Sequence, residues 1–284
     1  MEKEIEKEIE KEIEKEIEKE IEKENQNEIE KEIEKEIEKE IEKENQNEIE
    51  KENEINADDF ESKFVNQTYS QIAEHFNQTR KKVWPQVFDF ISNSECGSLV
   101  ADIGCGNGKN CRVSENIFTL GSDRNEELAK IANNLNNLPT CQMKTSIIID
   151  DNLNLSLRSN FFDKVISIAV LHHFSTIDRR ILALQELFRI TKPGGHILIT
   201  VWAFEQKKKY EKQDVMIPWK LQKRFFNQKQ LEKDQEQIEL KRYYHLFYKG
   251  ELKELIEKFE NINLISETFN SDNWVYLCEK KKQQ

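Results

Sequence analysis

The stretch Val100-Ala-Asp-Ile-Gly-Cys-Gly-Asn-Gly-Lys109 limits the folds open to this chain more than any other. Leu99, Val100 and Ile103 form a short apolar run of the kind that makes a buried strand, and the run ends in a loop with glycine at every second position. Gly104, Gly106 and Gly108 lack the Cβ that would clash where the backbone turns tightly or approaches a ligand. A helix N-terminus is expected next, with free N–H groups and partial positive charge facing whatever sits on the loop.

The spacing narrows the ligand. A dinucleotide fingerprint needs Gly-x-Gly-x-x-Gly, and Lys109 stands where its last glycine should be. Asp102 to Gly108 reads Asp-x-Gly-x-Gly-x-Gly, which resembles motif I of the class I S-adenosylmethionine (SAM) methyltransferases. Asp123 points the same way. It closes the run Ile117-Phe-Thr-Leu-Gly-Ser122 and is expected at the tip of the next strand, where a carboxylate can accept both ribose hydroxyls; it also suits a helix N-cap. The cofactor candidates here are Asp102, Gly104, Cys105, Gly106, Asn107, Gly108, Asp123 and Arg124.

Charge is divided unevenly. Residues 1–55 hold 25 Glu and 11 Lys, so the formal net charge of −12 belongs to this segment and the remainder is close to neutral. The body can therefore meet a polyanion through local patches, whereas the tail would be repelled by one. Within the tail the tetrad Ile-Glu-Lys-Glu repeats, broken by Glu-Asn-Gln-Asn at 24–27 and 44–47. Each residue type favours helix, but a period of four drifts about 40° per repeat against 3.6 residues per turn, so the isoleucines spiral instead of forming a seam. A disordered segment or an isolated charged helix is expected at 1–55, with one globular domain at 56–284. The five cysteines show neither paired spacing nor partner histidines, so no disulfide framework and no metal site are expected. A reducing compartment, cytosol or nucleus, fits this usage. No apolar stretch is long enough to span a membrane, and neither a membrane nor DNA is expected as a partner.

Along the body, apolar residues recur at helical spacing from Phe60 to Ile91, and Pro85 can open a second helix but cannot sit inside the first. The first helix carries Tyr69 and leads to Arg80, candidates for cofactor and substrate contact. A helix is expected from Arg124 to Leu135 and a strand from Thr140 to Ile149. Asp151 and Asn152 follow that strand, a carboxylate and an amide suited to the adenine edge. The run from Phe161 to Phe174 reads as a long central strand that delivers Ala169, His172 and His173 to the rim, with His173 the more structural of the two histidines. A helix from Asp178 to Ile190, a turn at Thr191 to Gly195 and a strand from His196 ending at Trp202 come next. Residues 203–242 read as a mobile basic insertion, followed by a helix from Gly250 to Phe259 and strands near Ile262 to Thr268 and Trp274 to Glu279. Alternating strands and helices predict an α/β fold with a Rossmann-like, mostly parallel doubly wound sheet.

Together these segments closely resemble the eukaryotic tRNA wobble-uridine carboxymethyl methyltransferases, both the stand-alone fungal kind and the domain fused to an AlkB-type dioxygenase in animals. The match runs from about Val65 to Glu279. It rests on Ile72-Ala with His75-Phe and Thr79-Arg80, Gly104-Cys-Gly-Asn-Gly-Lys109, Ile166-Ser-Ile-Ala-Val170 with His172-His173, Ser175-Thr176 with Arg179-Arg180, Trp202-Ala with Glu205-Gln206, Gln213-Asp-Val215 with Pro218-Trp219, Tyr243-Tyr-His-Leu246, and Asp272-Asn-Trp274. The chain departs from the family at Asn110, usually Tyr, and at Ser156, usually Pro. The resemblance implies methyl transfer from SAM to the carboxylate of 5-carboxymethyluridine at the tRNA wobble position. It also implies a small zinc-binding methyltransferase activator protein on the edge strand before Ile149.

A carboxylate acceptor is already ionised at neutral pH and asks for no strong base, so catalysis reduces to positioning in a water-poor pocket. Arg80 and His172 are the candidates for holding the second carboxylate oxygen. Arg179, Trp202 and Trp274 complete the candidate substrate set, the indoles to stack on an extruded base. A SAM enzyme acting on a small-molecule carboxylate and an inactive SAM- or tRNA-binding scaffold are the competing readings.

Overall fold

Pro85 separates the two leading helices. It occupies the first position of the second one, where its missing N–H is not needed, and Trp84 before it is extended at ψ 143°. The computed structural model describes residues 56–137, 142–226 and 237–282, so the charged repeat lies outside the described residues. The chain enters as a helix at 56–61, passes through a π-helical turn at Ser62–Asn66, and continues as α1 (Gln67–Thr79) and α2 (Pro85–Ser92). Then come β1 (Leu99–Ile103), β2 (Phe118–Asp123), α3 (Glu126–Asn136), β3 (Lys144–Ile149), β4 (Phe162–Ile168), α4 (Ile177–Ile190) and β5 (Thr191–Trp202). Asn125 caps α3 by accepting the Leu128 N–H at 3.1 Å, and Thr176 caps α4 by accepting the Arg179 N–H at 3.3 Å. The chain ends with β6 (Asp214–Gln222), β7 (Gln237–His245), α5 (Glu251–Ile256), β8 (Ile262–Asn270) and β9 (Asn273–Lys280).

Seven strands form one sheet in the order β3-β2-β1-β4-β5-β9-β8. The pairings from β3 to β5 are parallel and those of β9 with β5 and β8 are antiparallel. Neighbouring residues on the central strands go to opposite faces. Ala101, Val165 and Ile197 join the core under α4, with Leu184, Leu187 and Ile190, whereas Val100, Ile166 and Leu198 pack on Val87 and Ile91 of α2. Both faces are apolar and both are covered, which is why these strands read as continuous hydrophobic runs. The doubly wound α/β sheet is the one the sequence implies, with β3 at its edge.

Four expectations about local structure change. The helix expected directly after the glycine loop is only a 3-10 turn, Lys109–Arg112, and the long strand expected over Phe161–Phe174 ends at Ile168, before a 3-10 turn at Leu171–His173. The turn expected at Thr191–Gly195 is part of β5: Phe162 pairs with Thr191 and Lys164 with His196, so the Pro-Gly-Gly residues loop out as a bulge while pairing resumes beyond them. Much of the expected insertion at 203–242 is an antiparallel pair, β6 with β7, running from Asp214 opposite His245 to Gln222 opposite Gln237. Its apolar face, Trp219 and Leu221, packs with Phe226 against Ile72 of α1. Lysines and glutamates on the outer face mask a period-two pattern in the composition. Among the described residues no helix is long and apolar enough to cross a membrane.

The sheet is tight beside the glycine loop. A Cβ on Gly121 of β2 would lie 2.7 Å from Ile147 Cδ1 and 2.8 Å from Cys111 Sγ. Gly121→Ala is expected to destabilise the fold by about 1–3 kcal/mol, read as a lower midpoint in chemical denaturation at unchanged slope.

Candidate functional site

The carboxyl ends of β1 to β5, roofed by α1 and the helix before it, enclose a cavity of about 420 Å³. This is the position at which open α/β sheets bind ligands, and the volume suits a small-molecule site. The loop after β1 is built by two glycines that no other residue could replace cheaply. Gly104 has φ 78° and would carry a Cβ 2.4 Å from Val170 Cγ2; Gly108 has φ 69° and would carry one 2.8 Å from Ala132 Cβ. The turn is closed by the Gly104 and Cys105 N–H groups, which both donate to the Ser122 carbonyl at 2.8 Å.

Asp123 joins the parts. One carboxylate oxygen accepts the Gly106 N–H at 2.7 Å and the other accepts the Asn125 N–H at 2.8 Å. Burial pushes its carboxyl up to about 6, against the opposing pull of those two N–H groups. Asn125 also ties the roof to α3, its side-chain amide donating to the Asn66 carbonyl and to Ser70 Oγ, each at 2.8 Å. Arg124 clasps the same corner, 2.9 Å from Asp58 and 3.7 Å from Asp151. Ala169, after β4, holds φ 62° with its N–H on the Thr200 carbonyl and hydroxyl, a backbone outlier facing the cavity.

Twelve of the expected site residues line this one cavity: Tyr69, Arg80, Gly104, Cys105, Gly106, Asn107, Asp123, Arg124, Asp151, Asn152, Ala169 and Trp202. Five do not. Asp102 lies beneath the loop, fully buried, with the Cys111 thiol 3.6 Å from its carboxylate and burial raising its carboxyl to about 7. Gly108 packs on α3, so its role is steric. Arg179 is not a substrate contact, because its side chain is 3% exposed and is held by Glu61 at 2.9 Å and Asp58 at 3.0 Å. Trp274 is 7% exposed, with its indole N–H on Glu205 at 3.0 Å and its ring against Phe269.

The two histidines exchange the expected roles. His172 is completely buried; its Nδ1 accepts the Trp202 N–H at 3.2 Å, its ring stacks on Tyr244, and burial keeps it neutral. His173 lines the cavity instead. Its Nδ1 donates to the Tyr243 carbonyl at 2.9 Å, its Nε2 faces the Tyr69 hydroxyl at 3.1 Å, and burial lowers its pKa to about 3. Adjacent residues in a single 3-10 turn, Leu171–His173, point different ways, and nothing in a His-His pair says which of them faces the ligand. Trp84, Lys109 and Asn125 also line the cavity without having been singled out.

A family model described as a methyltransferase domain matches residues 101–199. A tRNA (carboxymethyluridine(34)-5-O)-methyltransferase of Schizosaccharomyces pombe (strain 972 / ATCC 24843) is 41% identical over 234 residues, which cover 78% of this chain and 98% of that protein. The chain belongs to this methyltransferase family. The family also includes tRNA (carboxymethyluridine(34)-5-O)-methyltransferase alkbh8 of Xenopus tropicalis, 34% identical over 80% of this chain and 42% of that longer protein. A Saccharomyces cerevisiae relative of the same description is 40% identical over 60% of this chain and 61% of its own length. Solved structures share the fold at low identity. A SAM-dependent methyltransferase from Clostridium acetobutylicum ATCC 824 matches with TM-score 0.58 at 13% identity, covering 75% of this chain and 99% of that one. The Haloferax volcanii complex between the Trm112 methyltransferase activator and a methyltransferase matches with TM-score 0.52 at 14% identity, covering 74% and 93%.

The cofactor is SAM, and the residues present fit it. Asp123 has lone pairs left for ribose hydroxyls, and the buried Asn152 Oδ1 has no partner in the cavity wall, an acceptor suited to an exocyclic amine. Leu128, Ile168 and Val170 offer apolar surface between the two polar ends. An ionised Asp123 accepts the ribose hydroxyls and a protonated one gives up acceptor capacity, so affinity falls as pH drops through about 6. Titration calorimetry is expected to show the SAM Kd rising up to roughly tenfold per pH unit below that point. Asp123→Asn is expected to bind weakly and to lose this slope, leaving only what Asp102 contributes.

Proposed function

We propose that this enzyme transfers the SAM methyl group to the carboxylate of 5-carboxymethyluridine at the tRNA wobble position, giving 5-methoxycarbonylmethyluridine. Membership of the tRNA (carboxymethyluridine(34)-5-O)-methyltransferase family carries the reading, since the S. pombe relative is matched over 98% of its length. The bound cofactor supplies an electrophilic methyl on a sulfonium, and the carboxylate oxygen takes it as the C–O bond forms and the C–S bond breaks, leaving a neutral ester and a neutral thioether with no proton to move.

The cavity chemistry agrees with an acceptor that needs no base. His173, the imidazole on the wall, already receives the Tyr69 O–H, and its pKa near 3 makes it a poor proton acceptor. What the residues supply is position and charge. Arg80 lines the cavity with Phe76 and Trp84, its exposed guanidinium 5.5 Å from the Trp219 ring and donating to the Thr79 carbonyl at 3.3 Å, with no carboxylate partner among the described residues. It is assigned to one oxygen of the acceptor carboxylate, and Trp202, half-buried on the wall, to the extruded base.

The proposal includes a partner. The Haloferax volcanii relative in fold is solved in complex with the Trm112 activator, and β3 here is a sheet edge with Ile149 59% exposed at its end. A Trm112-type activator pairing along β3 accounts for that edge. Cytosol or nucleus is the proposed compartment, supported by Cys96, Cys105, Cys111 and Cys278 being free thiols.

The test is transfer of labelled methyl from SAM to tRNA carrying 5-carboxymethyluridine, with the activator co-expressed. The expected product is the wobble methyl ester. Transfer to a free carboxylate without tRNA, or SAM binding with no transfer, overturns the proposal. Arg80→Ala is expected to lower kcat/KM by roughly thirtyfold, the effect of losing one charge-assisted hydrogen bond, while SAM affinity stays within about twofold.

A further inference from the structure

Three arginines, Arg179, Arg180 and Arg242, are buried near this cavity, and they are treated differently; Arg180 donates to the Phe174 carbonyl at 3.0 Å. Arg179 has its carboxylates, Glu61 and Asp58. Arg242 of β7 is 5% exposed and is paired with no carboxylate among the described residues. Its Nη1 donates to the hydroxyl oxygens of Tyr244 at 2.9 Å and Tyr69 at 3.2 Å, and its Nε–H is buried with no acceptor. Around the guanidinium stand the rings of Trp219 at 4.7 Å, Tyr244 at 5.2 Å and Tyr69 at 5.5 Å. A cation enclosed by aromatic faces and phenol oxygens keeps its charge but lacks the anion that would compensate desolvation. Such a site is stabilised by a negative group arriving from outside.

The route from Arg242 to the cavity is one residue long. Tyr69 lines the cavity, and its proton can be placed from its neighbours. His173 donates through Nδ1 to the Tyr243 carbonyl, so Nε2 is bare and receives the Tyr69 O–H. The Tyr69 oxygen accordingly accepts from Arg242 and from the Tyr244 hydroxyl, 3.2 Å away. A carboxylate entering the cavity would take that O–H by rotation about the C–O bond in exchange for the His173 Nε2 contact, with the guanidinium behind it.

We infer that Arg242 is a positioning residue for the acceptor carboxylate, acting through the hydroxyl of Tyr69; this rests on the methyl-transfer reading above. The arrangement also separates substrate from product. A carboxylate completes the charge balance around Arg242, whereas the neutral ester does not, so the wall holds the acceptor and releases the product. Tyr69, a candidate for cofactor or substrate contact from the sequence, is then a contact to the acceptor.

The experiment is single-turnover methyl transfer to tRNA carrying 5-carboxymethyluridine, using the enzyme with its activator. SAM affinity and Tm are measured on every protein. Tyr69→Phe and Arg242→Gln are each expected to slow transfer roughly tenfold or more, with SAM affinity within about twofold. Arg242→Lys, which keeps the charge, should recover to within about threefold of the wild type. The double variant Tyr69→Phe/Arg242→Gln should be no slower than the slower single variant, because the two act as a unit. Transfer by Tyr69→Phe at the wild-type rate, or losses that multiply in the double variant, overturns the inference. Should Arg242→Gln not fold, the isosteric Tyr69→Phe still decides by the same two rates. An inactive wild type instead overturns the reading of the reaction, which separates the two failures.

Discussion

The Asp123 carboxylate, shared between the N–H of Gly106 and the N–H of Asn125, is the interaction on which the site depends. It fixes the glycine loop after β1 to the tip of β2 and to the cap of α3, and Asn125 in turn holds Asn66 and Ser70 of the roof. One buried acid therefore sets the distance between floor and lid. Its cost is visible in the raised carboxyl pKa, since the two N–H donors only partly replace the water it lost. Ribose hydroxyls would supply the remaining donors, so the ligand-free site is held in the shape its ligand needs.

Electrostatics divide the cavity into two ends. At the cofactor end, Asp123, Asp151 and Asn152 offer acceptors. At the far end, Arg80 and Tyr69 line the wall with a neutral His173, and Arg242 stands behind Tyr69, so positive charge is present without a strong base. The ribose and adenine of the cofactor want the first environment, and the acceptor carboxylate wants the second. The wall between them is apolar or aromatic, Val170, Phe76, Trp84 and Trp202, which suits a reaction favoured by exclusion of water.

How much of this was legible followed from range. The glycine loop, Asp123 and the apolar central strands are local signals: backbone sterics, a strand tip and a run of hydrophobic residues. They placed the sheet, and they bring Gly104, Cys105, Gly106, Asn107 and Asp123 to the wall of one cavity. Arg179 and Trp274 were misread because their partners, Glu61 and Glu205, lie 118 and 69 residues away, and no spacing rule announces a buried pair that distant. His172 and His173 differ only in the direction each leaves a 3-10 turn. The β6–β7 pair was hidden by charge: Lys220 and Glu239 face each other across the strands and dominate the composition, while Trp219 and Leu221 supply the period-two face. Arg242 ends the basic stretch 203–242, whose composition does not single it out; its burial does.

The central claim is that the carboxyl edge of this sheet binds SAM with its reactive end toward Tyr69 and His173. A structure of the complex with S-adenosylhomocysteine and the activator tests it most directly. The account predicts both ribose hydroxyls on Asp123, the adenine beside Asn152, and the sulfur facing the Tyr69–His173 wall with Arg80 beside it. A ribose placed away from Asp123, or a sulfur directed to the opposite end of the cavity, would contradict it.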